Sequence, residues 1–437
     1  MKAAALLLAA VVQLAAAERE SAVDLLKRTT AKVVANDNNL QNYTCVETVV
    51  REYFLPAAST LDHACPWLLE QRNHPGPEMA LRPESTDRLR LDVAVTDRGE
   101  IFSWAGASRF DEGHVDHVVR EGPIATGAFG SLLTVIFRTD AQKFTVVGPK
   151  VLDGRRVMEY TYDVPETTSH YRVTLLDGVS RVRTAYSGSV LVDPDTADPV
   201  RLILRTAELP QASGSCQSSA ALDFQRVTIG NREFLLPSAA HQHFIARDGR
   251  ETENSTTFTA CREYSSESSI SFNAGPGGAP VTSVKSDQAS PMRIPSGLHF
   301  AFALTAPIRA DNAAAGDRFT GKLTEPLRDG RKVLAPKGAT VEGRVTLVKI
   351  FHGQHPKTDI GLSPRRMQIH GASVPVNAIP EYRAAVLAVR SKRKKGMEII
   401  LPPKGEYSGV FGYLGERISL PRGFVSEWVT ALDAQPR

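Results

Sequence analysis

The sequence predicts a mainly β protein of the α+β class, built as two domains joined by a linker. Three observations lead to this prediction. Apolar and polar residues alternate with period two along most of the chain, as they do in strands with one buried face. A single clear helical pattern interrupts them, and a stretch rich in Gly, Pro and Ser divides the chain after about residue 272.

The first residues have the composition of a secretory signal peptide. Lys2 precedes an apolar run over residues 3–14, and Ala15, Ala16 and Ala17 precede the charged Glu18. Residues 1–17 are therefore predicted to be removed on export, and no later apolar run is long enough to span a bilayer. We expect an exported protein without a transmembrane anchor, periplasmic or extracellular, with a peripheral position at the outer membrane left open.

Charge and cysteine content limit the partners. The formal charge of +4 is small for 437 residues, and both signs are interspersed, so no nucleic-acid partner is expected. The even set of Cys45, Cys65, Cys216 and Cys261 indicates disulfides in an exported chain. We predict local pairs, Cys45 with Cys65 and Cys216 with Cys261, although simple hairpin turns would leave the second pair about nine positions out of register.

The predicted elements follow in chain order. A helix opens the mature chain, because Val23, Leu26, Thr30, Val33 and Val34 recur at helical spacing. Strands are predicted around residues 88–95, 157–162 and 171–175, and a second helix lies between the first two of them, over residues 129–137. Turn residues at 193–199, 230–231 and 248–249 then predict an antiparallel meander.

The remaining third of the chain is again rich in predicted strands, with turns at residues 336–338, 403–405 and 421–423. The predicted organisation is therefore a signal peptide (1–17), a first domain (18–272), a flexible linker (273–297) and a second domain (298–437).

Two resemblances extend this prediction. Residues 186–196 and 199–202, which carry the pattern VDP-T followed by PVRL, resemble lipoprotein-localisation factors of the LolA and LolB type. The resemblance implies that the first domain is an antiparallel half-barrel with packed helices over its concave face. Residues 42–48, 127–131 and 258–264 are similar to segments of exported proteins of soil bacteria, a similarity that implies no function.

The second domain resembles the small β-barrel of TrbI-type conjugation and type IV secretion proteins. The matching segments are residues 315–319, 324–327 and 333–345, with a modified match at 367–369 and 374–376. The resemblance implies a second small β-barrel that contacts another envelope protein. The transmembrane anchor and the Pro-rich stalk of that family are missing upstream.

Two groups of side chains are candidate binding surfaces. An apolar ligand face is predicted where the second helix meets the strand after it, with a filled core as the alternative; its residues are Phe129, Leu132, Leu133, Ile136, Phe137, Met158, Tyr160 and Tyr162. A contact for anionic groups is predicted in a basic cluster, with a solvated hairpin tip as the alternative; its residues are Arg390, Lys392, Arg393, Lys394 and Lys395.

No catalytic, cofactor or metal site is predicted. The chain contains no G-x-S-x-G nucleophile motif and no phosphate-binding glycine loop ending in Gly-Lys-Ser/Thr. The histidine pairs 114/117, 241/243 and 352/355 each supply half of a metal site at most. Asp193 and Asp195 fall in a predicted turn, where their backbone role explains them.

The sequence thus favours a non-catalytic protein of the cell envelope that binds a lipid, a lipoprotein acyl chain or another apolar ligand. The alternative is a structural or adaptor protein with filled cores. An enzyme acting on envelope polymers is the third hypothesis, and no motif supports it.

Overall fold

The computed structural model describes residues 21–36, 43–56, 64–73, 80–96, 99–107, 110, 115–119, 121–229, 231–263, 293–381, 397–400 and 408–431. The predicted signal peptide, the linker up to residue 292 and the basic cluster at 390–395 lie outside these ranges. The chain divides into two compact units, residues 1–263 and 264–437. Within the described ranges, no helix has both the length and the apolar content needed to cross a membrane.

Unit 1 contains one long antiparallel sheet. Its strands follow the order β3–β2–β1–β12–β11–β10–β9–β8–β5–β4, so the predicted meander is confirmed. The bounds are β1 Tyr43–Pro56, β2 Leu81–Thr96, β3 Gly99–Trp104, β4 Phe144–Leu152, β5 Arg155–Val164, β8 Tyr186–Val192, β9 Pro199–Thr206, β10 Ser215–Ile229, β11 Arg232–Ala246 and β12 Glu251–Glu263. A separate hairpin pairs β6 (Arg172–Thr174) with β7 (Arg181–Arg183).

In the described part of unit 1, four helical segments accompany the sheet: α1 (residues 21–36), α2 (Cys65–Asn73), α3 (Val115–Val118) and α4 (Ser131–Val135). The chain continues from α4 into a wider π-helical turn, Ile136–Asp140, and a short 3₁₀ turn covers Gln211–Ser213. The predicted helix over 129–137 is confirmed as α4 and its continuation. Helix α2 was not predicted, because its sequence has almost no apolar stripe.

Helix α1 is present as predicted, but its buried face is one residue away from the predicted one. Ala22, Leu25 and Val33 are buried, whereas Val23 is 44% exposed. The small Ala22 permits a close approach to the sheet, and its carbonyl oxygen accepts a hydrogen bond from the Tyr160 hydroxyl at 2.7 Å. The buried face is therefore the one on which Ala22 approaches Tyr160, and hydrophobicity alone gave a different one.

The disulfide pairing differs from the predicted one. Cys45 is bonded to Cys261, and Cys65 is bonded to Cys216. Strand β11 lies between the strands of Cys216 and Cys261, so that predicted pair is separated by a whole strand. The register explains the first bond, because β1 and β12 are neighbours and a bulge between Thr44 and Val46 brings Cys45 to Cys261, with Cα atoms 4.0 Å apart. Two disulfides indicate folding in an oxidising compartment.

The second disulfide attaches α2 to the sheet. Cys65 and Leu68 of the helix form a small buried cluster with Cys216 and Ile245. Ile245 pairs with Glu251 of β12, and alternation places Glu251 on the face opposite to Phe258, which contacts Phe129 just before α4. Helix α2 therefore lies on the outer face of the sheet, whereas α1 and α4 lie on the inner one.

Unit 2 consists almost entirely of strands, as its sequence predicted. Its pairings follow β21–β25–β13–β15–β18–β19–β23–β22, and β20 also pairs with β19. These strands are β13 His299–Leu304, β15 Arg318–Leu323, β18 Thr340–Phe351, β19 Lys357–Ile369, β20 Ala372–Pro375, β21 Ala378–Glu381, β22 Met397–Ile400, β23 Gly409–Leu414 and β25 Val425–Thr430. Two short pairs accompany them, β14 (Ile308–Arg309) with β24 (Ser419–Leu420) and β16 (Leu327–Asp329) with β17 (Lys332–Ala335).

The core of unit 2 is filled by stacked aromatic rings. Phe302 lies between Phe319 and Trp428, with ring centroids 5.6 and 6.1 Å away, and Trp428 is fully buried. Gly321 and Gly343 face these rings, and a Cβ atom on Gly343 would stand 2.1 Å from the ring of Phe319. Glycine at these positions makes room for the rings.

The observed pairing predicts the products of proteolysis without reduction. Peptides that contain Cys45 and Cys261 should stay linked, as should those with Cys65 and Cys216. Replacing Cys45 and Cys261 with serine should lower the free energy of unfolding by about 2–5 kcal/mol, because the bond closes a long loop. Peptide mapping by mass spectrometry and urea unfolding measure the two effects. A peptide joining Cys45 to Cys65 would contradict the structure.

Candidate functional site

A cavity of about 640 Å³ lies in unit 1, at one end of the inner face of the sheet. The parts of the chain that surround it include residues 121–140, which we call the cover segment; the β6–β7 hairpin; the ends of β10 and β11; and residues 99–100 of β3 and 115–116 of α3. The lining combines apolar side chains with hydroxyl groups and a few charges. Its members include Val115, Ile124, Thr126, Ser131, Leu132, Val135, Tyr171, Val173, Thr174, Leu209, Ser215, Ser218 and Phe244.

A carboxylate from the sheet holds the middle of the cover segment. The backbone N–H groups of Gly127 and Phe129 donate to the two oxygens of Glu100, at 2.5 and 2.8 Å, and the Ser131 hydroxyl lies 3.3 Å from one of them. Gly127 and Gly130 have φ values of 98° and 142°, a region that favours glycine. This backbone shape directs successive N–H groups toward one anion at the start of α4.

The two ends of the cover segment are also fixed. Buried Arg51 forms a two-point ion pair with Asp87, at 2.7 and 2.8 Å, and donates to the carbonyl oxygen of Glu121 at 2.6 Å. At the other end the fully buried Asp140 accepts from the Tyr186 hydroxyl at 2.7 Å and from the backbone N–H of His170 at 2.9 Å. The cover segment is therefore tied to the sheet by three separate groups.

Burial changes the protonation of groups beneath the cover. Burial and, to a smaller extent, the negative charge of Glu100 raise the pKa of Glu47 from 4.5 to about 8. The pKa of Glu100 is also raised by burial, against the hydrogen bonds from Gly127, Phe129 and Ser131 that favour its charged form. Burial likewise raises the pKa of Tyr186, and its hydrogen bond to Asp140 adds to this shift.

The charged groups at the cavity are mostly paired. Arg181 lies 3.1 Å from Asp116, and the Nδ1 atom of His170 lies 2.5 Å from Asp140. Arg172 is exposed, and no ion pair to it occurs within the described ranges. The cavity thus has an apolar and hydroxyl-lined interior with one unpaired cation at its edge.

The predicted apolar face is divided between the core and the cavity. Phe129, Leu133, Ile136 and Phe137 are buried, as are Tyr160 and Tyr162, while Met158 is partly buried. Rings connect them to the sheet, with centroid distances of 5.0 Å from Phe137 to Phe144 and 5.8 Å from Phe129 to Phe258. Of the eight predicted residues, Leu132 lines the cavity, because it points away from the sheet with Ser131 and Val135.

The sequence reasoning missed Glu47, Glu100 and Asp140. The period-two alternation of apolar and polar residues contained a signal for two of these carboxylates. Glu47 stands between Cys45 and Val49 on the buried face of β1, and Glu100 shares a strand face with Phe102. A carboxylate at a position that alternation predicts to be buried requires a partner, and it therefore marks a place where another part of the chain must approach.

Three members of the predicted histidine pairs have ordinary partners. His243 lies 2.6 Å from Glu251, His241 lies 3.3 Å from Ser255, and His352 lies 2.9 Å from Glu416. His241 and His243 border a second hollow of about 310 Å³ on the outer face of the sheet. His114 and the side chain of His117 fall outside the described parts. Among described residues, no three His, Cys, Asp or Glu side chains form a group able to hold a metal ion.

Comparison with solved structures gives distant likenesses that cover about half of the chain. A lipoprotein-sorting protein domain from Vibrio parahaemolyticus is 10% identical, with a TM-score of 0.27 over 56% of this chain and 95% of that one. A LolA superfamily protein from Nitrosomonas europaea is 8% identical (TM-score 0.25, 54% and 93% covered), and a DUF1329 family protein from Desulfovibrio piger is 10% identical (0.24, 55% and 92%). TM-scores this low carry no argument about ligand or activity.

No family model and no curated protein matches the chain. Two of these structures, the lipoprotein-sorting domain and the LolA superfamily protein, carry the names of the family that the first resemblance suggested. The TrbI-type resemblance of the second domain receives no support from any of these comparisons.

The raised pKa of Glu47 predicts a pH dependence of stability. Between about pH 4.5 and pH 8 the folded protein keeps a proton on Glu47 that the unfolded chain releases, so the free energy of unfolding should fall as the pH rises through this range. Glu47→Gln should flatten the slope, and the exposed Glu52→Gln on the same strand should not. Urea unfolding across this pH range provides the measurement. Equal slopes in the wild type and in Glu47→Gln would contradict the assignment.

Proposed function

We propose that unit 1 binds a lipid-like, amphipathic ligand in the 640 Å³ cavity, as part of a non-catalytic, exported protein of the cell envelope. The observation that carries the proposal is the composition of the lining. Ile124, Leu132, Val135 and Phe244 offer apolar surface, and the hydroxyl groups of Tyr171 and Ser218 stand among them. The volume lies within the roughly 300–1,000 Å³ typical of ligand pockets.

The architecture supports this reading. We infer that the sheet of unit 1 is a half-barrel, whose inner face is closed by α1 at one end and by the cover segment across the middle. The buried side of α4 fills the interior with Phe129, Leu133 and Ile136. A ligand would therefore contact the other side of the helix, at Leu132 and Val135. A direct ligand contact at the remaining residues of the predicted face stays a prediction.

The acidic groups support a binding role. Glu100 accepts hydrogen bonds from the backbone of the cover segment, and Asp140 accepts them from Tyr186 and His170. Both carboxylates line the cavity, and the hydrogen bonds they accept position its wall. We assign no catalytic residue.

We further propose that unit 2 is a small closed barrel that contacts another envelope protein. Residues 372–381 support the closed barrel, because β20 pairs with β19 and the following β21 pairs with β25. β20 takes the edge along the second half of β19 that β23 takes along the first half, so this segment joins that edge to β25. The basic cluster at 390–395, whose structure is not described, keeps its predicted role as an anionic contact.

Native mass spectrometry of the protein, purified from the envelope of its own host, tests the ligand. We expect an added mass that denaturation releases and that lipid extraction recovers. Leu132→Trp should fill the cavity and reduce the bound fraction at least about ten-fold, because the ligand loses more than about 1.4 kcal/mol of contact. Val151→Trp is the matched control, since Val151 is 75% exposed on β4.

Two results separate the alternatives. Wild-type protein at its bare mass would overturn the carrier proposal and favour the adaptor hypothesis, with both cores filled. Equal ligand retention in Leu132→Trp and Val151→Trp would place the ligand outside this cavity. Far-UV circular dichroism of both variants checks that each one is folded.

A further inference from the structure

We propose that the β6–β7 hairpin is a membrane-docking element that places the mouth of the cavity against an anionic phospholipid surface. The proposal starts from two exposed apolar side chains. Leu176 is 77% exposed and Val179 is 83% exposed, the highest values among the large apolar residues that the structure describes. Both stand at the tip of the hairpin, where apolar side chains exposed to water do not stabilise the fold.

The tip has a defined shape. The Asp177 carboxylate accepts hydrogen bonds from the backbone N–H groups of Val179 and Ser180, at 2.9 and 2.8 Å, and Gly178 follows with a φ of 71°. The backbone N–H of Leu176 donates to the carbonyl oxygen of Ala212 at 2.9 Å, which fastens the tip to the neighbouring 3₁₀ turn. Leu176 and Val179 are thus held outward by an ordered turn.

Basic residues surround the base of the hairpin. Arg172 and Arg183 stand directly opposite each other in the register, and Arg181 stands opposite Thr174. Arg181 is paired with Asp116, while Arg172 and Arg183 are exposed and have no ion pair within the described ranges. An apolar tip with a cationic base matches a bilayer whose acyl region begins below a layer of anionic head groups.

The position of the hairpin connects this surface to the cavity. Arg172, Val173 and Thr174 belong to the cavity lining, and the exposed tip begins two residues later. A docked tip would therefore bring the cavity mouth to the head-group region of the membrane. A second protein that binds the same tip is the competing occupant, and the charge pattern favours the lipid surface.

The test uses the whole mature protein and vesicles without any added ligand. We expect the wild type to co-float with vesicles of phosphatidylcholine and phosphatidylglycerol, and to bind vesicles of phosphatidylcholine alone much more weakly. Leu176→Ser with Val179→Ser should lower the partition coefficient at least about ten-fold. The matched control is Val147→Ser with Val151→Ser, two exposed valines on β4.

A second pair of variants tests how much the basic residues contribute to vesicle binding. Arg172→Gln with Arg183→Gln should weaken binding by a factor of about 25, because each basic residue near an anionic leaflet contributes about five-fold. Arg155→Gln with Arg156→Gln removes two exposed arginines of the β4–β5 hairpin and should leave the partition coefficient unchanged. Added salt should weaken wild-type binding and affect the Arg172/Arg183 variant less.

A tryptophan reporter separates insertion from simple adsorption. The emission of Val179→Trp should shift to the blue on addition of anionic vesicles, whereas that of Val151→Trp should not. Leu132→Trp, with its cavity filled, should still co-float, so a failure of the ligand proposal leaves this result intact. Wild-type protein that stays unbound, or a Leu176/Val179 variant that binds like the wild type, would overturn the proposal. Unchanged thermal midpoints show that the variants are folded.

Discussion

The attachment of the cover segment to Glu100 is the interaction on which the candidate site depends. A carboxylate on the inner face of a sheet would be costly if it stood alone, because burial in an apolar environment penalises charge. Here the backbone N–H groups of Gly127 and Phe129 compensate it. The same hydrogen bonds fix where α4 begins, and hence which of its sides fills the core and which borders open space.

Alternation predicted strands around residues 88–95, 157–162 and 171–175, helical spacing predicted the second helix, and turn residues predicted the meander. It could not predict which strands become neighbours at a distance along the sequence. The disulfides show this limit clearly. Local pairing is the natural assumption when only loop length is considered, yet Cys45 and Cys261 are joined because β1 and β12 are adjacent. Disulfide pairing that follows strand order can be predicted only when the order of strands in the sheet is known, and no local sequence pattern gives that order.

The candidate site was predictable only in part, for a related reason. The helix around Phe129 was identified by the helical spacing of its apolar residues. This spacing defines one apolar stripe and does not show what the opposite side of the helix contacts. The cavity arises where α4, the β6–β7 hairpin and β10 leave a gap between them, and its lining comes from residues as far apart in sequence as Gly99 and Phe244. The charged residues Arg51 and Asp140 fix the two ends of the cover segment only through partners that are distant in sequence, so their role could not be predicted from the sequence around them.

The long span of both disulfides has a consequence for biogenesis. Their sequence separations are 216 and 151 residues, whereas Cys45 and Cys65 lie close together in the first part of the sequence. A chain that reaches an oxidising compartment with its N-terminus first exposes these two cysteines long before Cys216 and Cys261 arrive. The bond that oxidation forms earliest is then a non-native one, since the shorter loop costs less entropy to close. Maturation under those conditions requires thiol–disulfide exchange, so the yield of native protein becomes a property of the host's isomerase as well as of the sequence.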